Sequence, residues 1–148
     1  MKMNESDTKT HTFSLALGLT AALSATACVA CDVRDFLPIP KVAFVQPKND
    51  ALVTSPVYFE LEAKNWVIEE AGERRDGAGY FVISLVNGCV EEGRLVPLSE
   101  DYLHLRDGSY TAWAYMLPGN HHVCLQVADG NGRAIPLTDE IDFEVVGE

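Results

Sequence analysis

The chain has 148 residues, with 22 Asp+Glu against 11 Lys+Arg and a formal net charge of −11. That is one domain's worth of chain, and at 47% apolar and 22% charged residues it is too apolar for intrinsic disorder. So acidic a surface repels nucleic-acid phosphates and anionic headgroups alike, which excludes nucleic acid as a partner and leaves a membrane only through a covalent anchor.

The first segment differs in kind from the rest. Phe13 to Ala27 is a run of 15 small or apolar residues without charge, preceded by Lys2 and Lys9, whose charge Glu5 and Asp7 offset. It is shorter than the roughly 20 residues a spanning helix needs but has the length of an export-signal core. Residues 1–27 are therefore expected to be a cleaved signal peptide. The cut before Cys28 has two readings: Ala25-Thr26-Ala27 suits ordinary signal peptidase, whereas Leu23-Ser24-Ala25-Thr26-Ala27-Cys28 resembles a lipobox that would place a lipid on Cys28. Cys28 and Cys31 also spell C-x-x-C. Redox chemistry would need that pair at a helix start in a strand-helix unit, and here it precedes the Pro-flanked Leu37-Pro-Ile-Pro40. Residues 28–40 read as an extended tether and 41–147 as the folded domain.

Within the domain, period-two alternation recurs and helical periodicity does not. Val42 to Val45 supplies a short first strand. Val57, Phe59, Leu61 and Ala63 then alternate with Tyr58, Glu60, Glu62 and Lys64, as in a half-buried antiparallel strand. Trp66 to Ile68 is a further short candidate. Tyr80 to Val86 is apolar on both faces and reads as a central strand covered on each side. Ser109 to Tyr115 is rich in strand-forming aromatics, and Val123, Leu125 and Val127, then Ile141, Phe143 and Val145, mark the last two strands. Turn residues such as Asp107-Gly108, Pro118-Gly-Asn120 and Asp129-Gly-Asn-Gly132 separate them. The expectation is an all-β fold, an immunoglobulin-like antiparallel β-sandwich of about seven short strands. Its core should be Val57, Phe59, Leu61, Phe81, Ile83, Leu85, Leu125 and Phe143.

Catalytic signatures are missing: no G-x-S-x-G, no phosphate loop and no H-E-x-x-H. Glu69-Glu70, Glu91-Glu92 and Asp139-Glu140 are sequence neighbours, so on a strand they point to opposite faces and cannot work as one acid/base pair. Asp129 to Arg133 has too few oxygen ligands for calcium. His104 with His121 or His122, joined by Asp101, Asp129 or a free Cys124, has the ligand types of a copper or zinc site; surface histidines at a strand end and a turn are the plainer reading. Cys89 and Cys124 are a disulfide candidate in an oxidising compartment, the alternative being two separate buried thiols.

The order Val42 to Pro56, Ala71-Gly72, Gly79 with its apolar strand, His104 with Gly108, Leu117-Pro-Gly-Asn-His121 and Leu125 to Asp129 resembles a bacterial family known as domain of unknown function 4399. The resemblance spans nearly all of residues 41–147 and implies an exported immunoglobulin-like β domain without an established activity. His104 and His121 match its pattern. Tyr80-Phe81-Val82 stands where that family has a histidine run, Leu85-Val86 where it has an aspartate, and a histidine expected after Asp129 is missing. The expected function is accordingly a non-enzymatic extracytoplasmic binding domain, lipid-anchored at Cys28 and without a cofactor, for an unknown protein or envelope component. A copper- or zinc-binding module using His104 and His121 is the alternative.

Overall fold

The computed structural model describes residues 38–147. The expected leader, Cys28 and all of the tether before Pro38 lie outside the described residues; 38–40 carry no regular structure. Nine strands follow: β1 (Lys41–Gln46), β2 (Ala51–Thr54), β3 (Val57–Lys64), β4 (Val67–Ile68), β5 (Ala78–Ser84), β6 (Tyr102–His104), β7 (Thr111–Ala114), β8 (Gly119–Ala128) and β9 (Ala134–Val146). There is no helix among the described residues. The strands make a three-stranded sheet, β1-β3-β7, and a six-stranded one, β2-β9-β8-β5-β4, with β6 also on β5.

The inward halves of the alternating runs meet in one core. Val42, Phe44, Phe59 and Leu61 come from the small sheet, and Phe81, Ile83, Leu125 and Phe143 from the large one. Phe59 is fully buried, with the rings of Phe44 and Phe143 at 6.0 and 6.1 Å. Every residue expected in the core is buried except Leu85, which is only partly covered because β5 ends at Ser84.

The expectation of about seven antiparallel strands is corrected in two respects. Among the described residues there are nine strands, and two pairings are parallel: β2 with Phe143–Val146 of β9, and β4 with Ala78–Gly79 of β5. β2 and β6 have four and three residues, too few to display a period, and each is a strand only through the partner it lies against. The chain reaches β2 and returns to β3 through cis peptide bonds at Gln46–Pro47 and Ser55–Pro56. The large sheet also curls toward the small one, so that Asp139 on β9 accepts the backbone N–H of Phe44 on edge strand β1 at 2.9 Å. That satisfies an amide which an open edge would leave unpaired.

β5 is buried along its whole length, as its doubly apolar sequence requires. The second cover is a strap, Leu85 to Asp101, folded over the outer face of the large sheet, where Tyr80, Val82, Val96, Ala128 and Ala134 form a separate apolar cluster. Backbone bonds from Val96 N–H to Gly132 O (2.9 Å), Gly93 N–H to Ala134 O and Ala134 N–H to Arg94 O (both 2.8 Å) sew the strap to the β8–β9 hairpin. Gly79 lets β5 pass β8 closely: a Cβ there would collide with the Ala128 carbonyl oxygen and stand 2.7 Å from Val127 Cγ1.

Because Phe59 and Phe143 pack ring to ring across the two sheets, truncating either to Ala should cost about 3–5 kcal/mol in denaturant unfolding, a large share of a small domain's stability. A loss below about 1 kcal/mol would mean that the two inward faces had been misassigned.

Candidate functional site

Cys89 and Cys124 form a disulfide with Cα atoms 5.3 Å apart. Cys124 is fully buried on the outward face of β8, and the bridge pins the strap over it. Two residues on, the Gln126 side chain continues the attachment. Its Oε1 accepts from Val90 N–H at 2.9 Å while its Nε2 donates to Val90 O at 2.8 Å. Glu140 lies beside the two sulfurs, all three ligand atoms within 4.8 Å, but sulfurs bonded to each other are not thiolates and leave no metal-ligand set there. Cys124 is thus unavailable as the free third ligand weighed from the sequence.

The histidines part company. His104 is in register with Val82, and Val82 with Gln126, which places His104 on the outer face of the large sheet. His121 is in register with Phe143, stacks on that ring at 5.8 Å and belongs to the opposite, core-side face. Five residues along β8 separate the two positions, a distance of about 17 Å, besides the thickness of the sheet. The structure does not bring His104 and His121 together. Each is engaged locally instead: His104 Nε2 lies 2.9 Å from Pro97 O and His121 Nε2 2.7 Å from Leu117 O. A carbonyl only accepts, so Nε2 carries a proton in each ring. Asp129, another proposed ligand, is turned inward and organises the β8–β9 hairpin by accepting the backbone N–H groups of Asn131 (3.0 Å) and Arg133 (2.9 Å). Asp101 accepts a long 3.4 Å bond from Asn87 at the surface.

His122 is the histidine whose setting the sequence reading missed. Its Nδ1 is 2.9 Å from Asp142 Oδ1 and its Nε2 2.7 Å from Glu140 Oε2. The arrangement follows from register: Asp142 is directly opposite on β9, and Glu140, two residues along, shares its face. Acids at alternate positions of one strand were visible in the sequence; which residue of β8 they would face was not. The Asp142 hydrogen bond, and after it the Glu140 one, raises the His122 pKa above the ordinary histidine value.

The other conspicuous surface is on the small sheet, whose outer face no strap covers. Trp113 of β7 and, past the end of that strand at Ala114, Tyr115 and Leu117 are 63%, 89% and 81% exposed. Trp113 is opposite Tyr58 on β3, with ring centroids 4.8 Å apart. A groove of about 480 Å³ runs from this pair past Pro56 to Leu52 and Val146. Glu60 and Glu62 continue the Tyr58 face of β3, and Glu144 is beside Leu52. The result is an exposed apolar patch at a sheet edge with acidic neighbours, larger than scattered surface hydrophobics.

The raised His122 pKa has a definite sign. The folded state holds the proton more tightly, so the contribution is complete below the unfolded value of about 6.5 and is lost as pH rises through the folded-state midpoint. Imidazole proton shifts followed by NMR should place the His122 midpoint above 6.5, and Asp142→Asn should move it down. A midpoint at or below 6.5, or one indifferent to that substitution, would contradict the two-carboxylate grip.

The family model for a domain of unknown function, DUF4399, matches residues 59–146, from within β3 to the end of β9. No curated protein and no solved structure matches the chain. The matched stretch holds the strap, the disulfide and all of the large sheet except β2, and on it the chain belongs to the DUF4399 family.

Proposed function

We propose that this chain is a non-enzymatic, extracytoplasmic binding domain of immunoglobulin-like type, exported by its leader and anchored by a lipid on Cys28, which docks an envelope protein on the outer face of its small sheet. The observation that carries this reading is the exposed strip of Trp113, Tyr115 and Leu117, whose Trp113 packs against Tyr58. Three large apolar side chains in a row cost solubility unless something covers them. The acidic surroundings of the strip select the occupant. A second copy of so acidic a chain would be repelled, whereas a partner with an apolar centre and a basic rim would be attracted. Trp113 is on β7, an edge strand, and Tyr115 and Leu117 follow directly after its end, so an extended partner segment paired with β7 can add main-chain hydrogen bonds to the side-chain contact. The disulfide supports an oxidising compartment.

A photo-crosslinking residue in place of Tyr115, activated in living cells, should give one discrete adduct that weakens with Trp113→Ser and with raised salt. No adduct, or one indifferent to both changes, would overturn the reading. A band at twice the chain's own mass would replace the heterologous partner with self-association.

The metal-module alternative rests on His104 and His121, which the strand register holds apart, so we expect no tight stoichiometric copper or zinc. Calorimetric titration with Cu(II) and Zn(II) checks this. Sub-micromolar one-to-one binding that disappears in a His104→Ala, His121→Ala double variant would restore the metal reading.

A further inference from the structure

A second pocket, on the outer face of the large sheet and independent of the aromatic strip, has the composition of a small-molecule site. It encloses about 320 Å³ between Tyr80 of β5, His104 at the end of β6, Arg106 two residues past that end, Leu95 to Leu98 of the strap, and the Asn131–Gly132 turn. Its walls are apolar on the strap side, where Leu95 and Leu98 are 60% and 78% exposed although they belong to a segment otherwise sewn down. Pockets that combine an apolar wall with a few convergent polar groups are the usual form of a ligand site.

The polar groups are unusually free to act. Arg106 has no ion pair among the described residues, while Arg74, Arg75 and Arg94 are each within 4.0 Å of a carboxylate and Arg133 donates to Gly93 O. Its sequence neighbour Asp107 is occupied by Ser109, which donates to it from both hydroxyl and backbone N–H. A guanidinium with no ion pair among the described residues is a marked exception in a chain with twice as many acids as bases. Tyr80 is 1% exposed, and its hydroxyl reaches only His104 Nδ1, at 3.4 Å. That is a long bond for an O–H donor, easily exchanged for a better acceptor. Gly132, at φ +84°, leaves space in front of that hydroxyl, since a Cβ there would be 3.4 Å from it. Burial holds the Tyr80 pKa above its ordinary value, so the phenol keeps its proton as a donor; Arg106 acts in the opposite sense and Asp129 with the burial.

We propose that this pocket binds a small organic carboxylate, its two oxygens shared between the Arg106 guanidinium and the Tyr80 hydroxyl and its apolar body lying against Leu95, Pro97 and Leu98. One guanidinium fork suits one planar carboxylate of single charge. The surrounding negative charge disfavours a phosphate dianion. His104, held by Pro97 O, is a positioning residue that fixes the resting direction of the Tyr80 hydroxyl.

Calorimetric titration of the purified protein with benzoate and with octanoate should show one-to-one binding. Benzyl alcohol, octanol and inorganic phosphate should not compete. Arg106→Gln and Tyr80→Phe should each weaken carboxylate binding about tenfold, the loss of one charge-assisted hydrogen bond. Arg106→Lys should retain part of it, with unfolding midpoints unchanged as the check on folding. No carboxylate binding, equal binding of the alcohols or of phosphate, or affinity unaffected by Arg106→Gln would overturn the proposal, whatever the crosslinking of the aromatic strip gives.

Discussion

The structure depends on keeping both faces of β5 and β8 dry with only two sheets to do it. The small sheet covers one face. The other falls to an irregular segment, and irregular backbone can lie over an apolar face only if its own N–H and C=O groups find partners. The strap meets that requirement through the β8–β9 hairpin backbone, the two bonds of the Gln126 amide to Val90 and the disulfide to Cys124. Gln126 presents one acceptor and one donor to a single residue, as an adjacent strand would. It is among the few buried polar residues because it stands in for a missing backbone. Without that attachment Tyr80, Val82 and Ala128 would face water.

The same device accounts for where function can reside. The strap occupies the part of the large sheet's outer face over β5 and the β8–β9 hairpin, whereas among the described residues the outer face of the small sheet is left uncovered, and Trp113 and Tyr58 are on it. The small pocket, by contrast, exists because of the strap, whose Leu95 to Leu98 section forms its roof over Tyr80 and His104. Two surfaces of different chemistry therefore arise from one asymmetry in how the sheets are covered.

What the sequence disclosed was what depends on neighbours along the chain. Val57 to Lys64 displayed its alternation openly, and the doubly apolar Tyr80 to Val86 announced cover on both sides without saying that the cover would be a strap. What it withheld depends on register and on partners distant in the chain. β2 is a strand because of Phe143 to Val146, some 90 residues on. His122 became notable because Asp142 is opposite it, and His104 and His121, matched by type, were separated by the faces they occupy. Residue type and order suggested ligands; only pairing could decide which of them meet. The cysteines show the same limit, since the compartment made a bridge plausible and the crossing of strap and sheet selected it.

One carboxylate has an influence out of proportion to its size. Asp139 reaches from the middle of β9 to the Phe44 amide, placing a negative charge in the rung of hydrogen bonds where a foreign strand would begin to pair. An incoming backbone would have to displace that carboxylate and bring its own carbonyl oxygen up to a charge of like sign. Wherever copies of this chain meet edge to edge, such a plug sets the direction of growth. It closes the β1 edge to polymerisation and leaves β7 as the one side of the small sheet on which another chain can be laid.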